Sequence, residues 1–277
     1  MPIAQIDTET LIRSLGGHSF VFYGLVFFGI ILARYFLLAG GSWWWLYART
    51  TATDPETKPP ETKKPHQSHH NADAIRADIF LSVLSAAVFA LATVAVLALQ
   101  SHGLTRLYAR PDTYGWWYLA FSYGVVLILQ DGIYYATHRL MHHRWLYSWC
   151  HHGHHRTHQP TPWTSFAFDL PEAILQALVL VLLVMLVPLH LITLMAVLST
   201  MTIWAIVNHL GLDRLPSGFP HHWLGRWVIG PAHHSLHHRH PGVHFGLYFT
   251  HWDRIGGTED SSYDASMESP NDLSAIH

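Results

Sequence analysis

Long apolar runs separated by polar connections set the pattern of this chain. Phe20 to Ala39 is the first, and at about 20 residues it is long enough to span a bilayer as a helix. Arg34 interrupts it near one end, from where its side chain can snorkel to the headgroups. Trp43, Trp44, Trp45 and Tyr47 follow at once, as in an interfacial aromatic belt. Ile79 to Leu99 reads as a second span and Trp116 to Tyr135 as a third. Ala173 to Val187 and Leu189 to Val207 form an apolar hairpin broken at Pro188. The pattern predicts an all-α integral membrane bundle of about four to five spans, capped by short histidine-rich helices.

The polar connections are unequal. Arg49 to Asn71 is rich in Pro, Thr and Lys and predicts a flexible or extended linker, in which His66, His69 and His70 are solvated. Ser101 to Tyr114 is a short polar connection, and Glu259 to His277 reads as a disordered tail. Met1 to Thr10 is mildly acidic where a cleavable signal would be basic. Lys and Arg give the orientation: Arg49, Lys58, Lys63, Lys64 and Arg76 on the linker side, against Arg106 and Arg110 in the 101–114 loop. That bias places the linker and the histidine clusters on the cytoplasmic side, whether the hairpin crosses fully or dips into one leaflet.

Composition narrows the class. Only 12% of the 277 residues are charged, against about 25% in soluble domains. The formal charge of −2 argues against a nucleic-acid footprint. Cys150 is the single cysteine, so no intrachain disulfide forms; it reads as a packed small apolar residue.

The chemistry lies in the histidines, 25 in all. Three clusters have the spacings HxxxH (His138, His142), HxxHH (His151, His154, His155) and HxxHH (His234, His237, His238). Residues three and four apart share a helix face, so each cluster can aim its imidazoles at one point. With His209 they make nine candidate ligands, more than one ion takes, which points to two metals. Imidazole suits zinc and iron alike, but only iron has the oxidation states for redox chemistry on an inert lipid. His143, His152 and His233 adjoin the clusters but point elsewhere on a helix. His158, His221, His222, His240 and His251 read as interfacial or supporting, and His190 as a membrane-edge residue.

Two carboxylates stand near these clusters. Asp131 lies seven residues before His138 inside an apolar span, where an unpaired carboxylate is costly. It is expected to accept the free ring N–H of a ligand histidine and so fix its tautomer. Asp213, four residues after His209, is a weaker candidate for a water-mediated ligand. No GxGxxG opens a helix, no CxxCH attaches haem and no cysteine set holds an iron–sulfur cluster, so electrons must come from another protein.

The motifs resemble the membrane-bound fatty acid hydroxylase/sterol desaturase superfamily, and within it the sterol C5-desaturases. Asp131 to His142 is similar to the family's first box and His151 to His155 to its second. Pro160 to Trp163 and Ser165 to Phe168 resemble the stretch after that box. Thr202 to Trp204 with His209 resembles the segment of the isolated histidine, and Gly230 to His238 the last box. Phe245 to Thr250 and Trp252 to Thr258 resemble the closing signature. The likeness runs from about Arg76 to Thr258. It divides the chain into an N-terminal transmembrane segment (1–48), a linker (49–75), a catalytic domain (76–258) and a tail (259–277). Asp169 stands where the C5-desaturases usually carry histidine, and His244 where the signature usually has Asn or Tyr.

The resemblance implies a non-haem diiron centre, O2 as oxidant, and electrons from cytochrome b5 or a ferredoxin-type donor with its NAD(P)H reductase. It implies a lipid substrate, a sterol first, with Trp163, Phe166, Phe168 and Asp169 near it. Substrate would enter laterally beside the Ala173–Val207 hairpin. The location implied is the endoplasmic reticulum of a eukaryote or the inner membrane of a bacterium. Hydroxylation of a fatty acyl, carotenoid or other isoprenoid lipid is the alternative chemistry, and a membrane metal transporter the alternative class. A transporter would place ligands within the bilayer, often as carboxylates.

Overall fold

The computed structural model describes residues 20–48, 72–211, 223 and 225–260. Met1 to Thr10, the linker histidines His66, His69 and His70, Asp213, His221, His222 and the tail beyond Asp260 lie outside the described residues.

Nine α-helices are present among the described residues: α1 (Phe20–Trp43), α2 (Ala72–Ser101), α3 (Trp116–Met141), α4 (Tyr147–Cys150), α5 (His152–His155), α6 (Leu170–Leu186), α7 (Leu191–Asn208), α8 (Pro231–Arg239) and α9 (His251–Gly256). Among the described residues, four helical segments are long and apolar enough to cross a membrane: Phe20–Leu46, Ala72–Ser101, Trp116–Met141 and Leu191–Asn208. With 17 residues, α6 reaches about 25 Å at 1.5 Å per residue, slightly short of the ~30 Å hydrocarbon core. The result is an all-α membrane bundle.

The elements differ from the sequence expectation mainly at their ends. Helix α2 starts at Ala72 rather than Ile79, and Asp73 and Arg76 form a 3.1 Å ion pair at its start. Helix α3 continues past Tyr135 to Met141, so His138 lies in the last turn of a long helix. Helix α6 begins at Leu170, with Pro171 in its first turn, where a missing N–H costs nothing.

Five helices meet the cap at one end of the bundle. The C-terminal half of α1 and the start of α2 both pack on the 3-10 turn Pro162–Phe166. Core residues Tyr35 and Ala39 of α1, Phe166 and Ile206 make one cluster there. Helices α3, α6 and α7 share a second core of Val126, Val179, Leu183, Val184, Leu194 and Val197. At the opposite end, Leu107–Tyr108 pairs in parallel with Leu189–His190, tying the 102–115 connection to the α6–α7 turn. His190 is buried there: Nδ1 accepts the Ile192 amide at the start of α7 and Nε2 donates to the Ala109 carbonyl. It is thus a helix cap at the end remote from the histidine clusters. Polar residues inside the spans hold the cap down. Tyr35 and Ser82 donate to the Trp163 carbonyl and Ser85 to that of Phe168, while Asp78 accepts from the Thr157 and Thr164 hydroxyls.

Candidate metal centre

Helical spacing sorts the nine imidazoles into two groups. His138, His142, His151, His155 and His237 bring ligand atoms within 4.8 Å of one another, and so do His154, His209, His234 and His238. Each i, i+4 pair lands in a single group: 138/142 and 151/155 in the first, 234/238 in the second. The remaining histidine of each HxxHH, His154 or His237, is rotated away from its pair by one or three residues and joins the other group. The second and third clusters are therefore mirror images in use. The groups adjoin, with the His155 and His238 rings 4.6 Å apart. Eight of the nine histidines are buried; His142 is half-buried.

The rings are locked by what holds Nδ1. His138 donates to the Phe245 carbonyl (2.9 Å), His237 to Val243 (2.7 Å), His154 to Ala167 (3.2 Å), His238 to Thr157 (3.0 Å) and His209 to Ala205 (2.6 Å). His151 Nδ1 meets the Glu172 carboxylate at 2.6 Å. A carbonyl only accepts, so each carbonyl-bonded Nδ1 carries the proton and Nε2 of the neutral ring is a bare lone pair. Burial keeps the rings neutral. It pushes the pKa of His154 down to about 4 and, with the neighbouring His154 imidazole adding to it, that of His209 to about 3. Burial first, then neighbouring imidazoles, also holds His234 and His238 well below the usual histidine range.

These lone pairs face one another. Nε2 of His138 and of His151 are 3.0 Å apart, those of His209 and His234 3.0 Å, and those of His234 and His238 3.1 Å. His234 has at most one proton to place on Nε2, so the two contacts in its group cannot both be hydrogen bonds. The buried Nε2 atoms of His142, His155 and His237 have no hydrogen-bond partner at all. A cation resolves each of these conflicts. Two nitrogens about 2.1 Å from one ion at a right angle lie about 3.0 Å apart, so the spacing fits metal ligation.

Three other buried carboxylates, Asp131, Asp253 and Asp78, support the loops rather than the rings. Asp131 Oδ1 accepts the amides of Leu247 (3.1 Å) and Tyr248 (2.7 Å). It touches no histidine, contrary to the expectation from sequence. Seven helical residues amount to a rise of about 10 Å, beyond side-chain reach even on a shared face. Asp253 accepts the Phe245 and Gly246 amides and the Thr258 hydroxyl. Asp131 and Asp253 thus clamp the segment whose carbonyls hold His138 and His237, while Asp78 pins Thr157, whose carbonyl holds His238. Sequence reasoning missed Glu172, Asp253 and Asp78. An isolated acid in an apolar run was the available signal for Glu172 and Asp78.

The other expected residues are dispersed. Trp163 packs edge-to-face on Tyr35 and Phe36, and Phe166 packs among Tyr35, Phe89 and Phe168. Of these aromatic residues Phe168 alone meets a ring of the cluster, stacked on His154 with ring centroids 5.8 Å apart. Asp169 accepts the Gly153 amide at 2.6 Å and so braces the second box. None of these four lines the groove of about 510 Å3 that opens beside His142, Arg139 and Phe245. His143 and His152 are exposed; His233 is buried against His244, outside both groups. His158 and His240 are exposed, and His251 rests on Trp252. Cys150 is buried and bonded to no other cysteine.

Fold and site together define a class: an all-α integral membrane protein with a histidine-built site for metal at one end of its helices. Residues 123–258 match the fatty acid hydroxylase model and belong to that family. Among curated proteins, the chain is 32% identical over 193 residues to the Delta(7)-sterol 5(6)-desaturase ERG3B of Gibberella zeae, covering 70% of this chain and 58% of that one. It is 33% identical over 186 residues to the lathosterol oxidase of Homo sapiens (66% and 60%). It is 30% identical over 208 residues to the Delta(7)-sterol 5(6)-desaturase erg31 of Schizosaccharomyces pombe (72% and 66%). The matched part thus spans between 58% and 66% of these relatives' own lengths. No solved structure matches the chain significantly.

Proposed function

We propose that this chain is a lipid oxidoreductase that uses O2 and two non-haem irons to introduce a double bond, with a sterol as substrate. The convergence of nine imidazoles into two adjoining groups, eight of them buried, at one end of an apolar bundle is the observation that carries this reading. His138, His142, His151, His155 and His237 would hold one iron, and His154, His209, His234 and His238 the other. Bound there, iron supplies the electron-transfer chemistry that O2 reduction and C–H oxidation require. The protein's own part is orientation and exclusion of water. Backbone carbonyls fix five of the rings, and the Glu172 carboxylate a sixth, with Nε2 inward, and burial keeps the rings neutral and the site dry. Its stacking on His154 makes Phe168 the residue of the 163–169 segment that we expect to touch a substrate.

Electrons come from cytochrome b5 or a ferredoxin-type donor with its NAD(P)H reductase, since the chain has no motif for a redox cofactor of its own. The Lys and Arg bias favours the cytoplasmic side for the cap, in the endoplasmic reticulum of a eukaryote or the inner membrane of a bacterium. The relatives' names, sterol desaturases and lathosterol oxidase, favour a sterol and loss of two hydrogens. Hydroxylation of an acyl or isoprenoid lipid is the second reading, favoured by the description of the matched family.

The test is a sterol profile by gas chromatography–mass spectrometry. The chain is expressed in a sterol-making host lacking its own C5-desaturase, beside an active enzyme as control and with a compatible reductase supplied. Appearance of the 5,7-diene is the expected result. An unchanged sterol profile with the protein present and the control working rejects the sterol. Oxygenated acyl or isoprenoid products in the same extract would then establish the second reading.

A further inference from the structure

We propose that Glu172 is a positioning residue that sets the orientation and donor strength of His151, making the five-histidine group chemically distinct from the four-histidine group. This rests on the metal reading above. Glu172 is the only charged residue of α6, and both it and His151 are completely buried. A carboxylate in such surroundings is costly unless its charge is met. Here the partner is His151 Nδ1, 2.6 Å from Oε2, while Oε1 is buried with no hydrogen-bond partner. The carboxylate is therefore committed to one imidazole.

No other histidine of the nine is held in this way. Among the described residues the other five anchored rings donate to backbone carbonyls, and Glu172 is the only carboxylate within hydrogen-bond distance of any of them. Donation from Nδ1–H to a carboxylate is charge-assisted and stronger than donation to a carbonyl. It fixes the tautomer, leaves the Nε2 lone pair facing His138 Nε2, and makes that nitrogen a better donor. It also places one negative charge beside donors that are otherwise neutral. The four-histidine group has carbonyl support only, so the two ions would sit in unequal electrostatic surroundings.

A purely structural role, fastening α6 to the second box, makes a different forecast. The isosteric amide of Glu172→Gln keeps an acceptor for Nδ1–H and would serve as well. The experiment uses the full chain purified in detergent and loaded anaerobically with 57Fe(II). Iron per chain, Mössbauer spectra and thermal unfolding are compared for the wild type, Glu172→Gln, Glu172→Ala, His151→Ala and His234→Ala. We expect Glu172→Gln to weaken the binding of one iron by about 10- to 100-fold and to shift one of two Mössbauer doublets, with unfolding of the iron-free chain unchanged. Glu172→Ala should lose the same iron as His151→Ala and keep the one lost in His234→Ala. Wild-type affinity and spectra in Glu172→Gln, or equal loss of both irons in Glu172→Ala, overturn the inference while leaving the metal centre standing. A wild-type chain that takes up no iron overturns the metal reading and this inference with it.

Discussion

Asp131 offers the sharpest test of how this site is supported. Its side chain is fully buried in α3, and Oδ1 alone receives the Leu247 and Tyr248 amides. Asp131→Ala leaves two buried N–H groups without an acceptor, at about 1–3 kcal/mol each, so a loss of about 2–6 kcal/mol is expected. In a chain of this size 1 kcal/mol corresponds to roughly 2–4 °C in Tm, which makes the shift large enough to read by thermal unfolding in detergent. Asp131→Asn keeps an acceptor oxygen for the same amides. Its NH2 takes the place of Oδ2, which has no partner to lose, so it should cost about 1–3 kcal/mol, the penalty of one buried unpaired group. The second readout is iron per chain. The clamped segment carries the Phe245 carbonyl that holds His138, so Asp131→Ala should lower iron in the five-histidine group before the other. Unchanged Tm and unchanged iron in Asp131→Ala would refute the clamp. A large loss of iron at unchanged Tm would point instead to a direct role at the metal.

Three further substitutions bear on the remaining supports. A Cβ at Gly153 would overlap the Asp169 carboxylate, with Asp169 Cγ only 2.9 Å away, so Gly153→Ala should displace the second box and lower bound iron, measured by metal analysis. His152→Ala, at an exposed position between two ligands in sequence, should leave iron content and product formation at wild-type levels; a loss of either would revise the ligand set. Trp163→Ala removes edge-to-face packing on Tyr35 and Phe36 and should cost about 3–5 kcal/mol in stability, with iron per folded chain unchanged. A changed KM without a change in unfolding would instead make Trp163 a substrate contact.

The spans and the histidine clusters were legible in the sequence because both are local patterns. An apolar run of bilayer length and an i, i+4 pair each declare themselves within a few helical turns. The ring supports were not legible, because they join residues far apart in the chain: His138 to Phe245 across 107 positions, His238 to Thr157 across 81 and His151 to Glu172 across 21. The misplacement of Asp131 has the same origin. Facing direction along α3 was read correctly, but distance along the helix excludes a bond, and its partner is a loop that helical periodicity cannot locate. Applied to Glu172, the rule that a lone acid in an apolar run has a partner would have found a carboxylate that does hold a histidine.

The four buried acids follow one physical logic. Helix geometry alone can bring imidazoles to a point, but it cannot fix their tilt, since a histidine on a regular helix retains freedom about both side-chain bonds. The tilt of His138, His154, His237 and His238 comes from acceptors on irregular backbone, and irregular backbone next to apolar helices has unpaired amides of its own. Asp131 and Asp253 satisfy those amides directly at Phe245, Gly246, Leu247 and Tyr248, and Asp78 pins the other loop through Thr157 and Thr164. Each places its charge where several donors converge, which is the condition under which a buried carboxylate is tolerated. Glu172 is the exception that skips the intermediate loop and meets the ring itself. The three indirect acids should therefore be sensitive chiefly to loss of an acceptor, with amide replacements partly rescuing them. Glu172 should be sensitive to loss of charge even when the acceptor is kept, and that contrast separates scaffold from metal tuning within one set of variants.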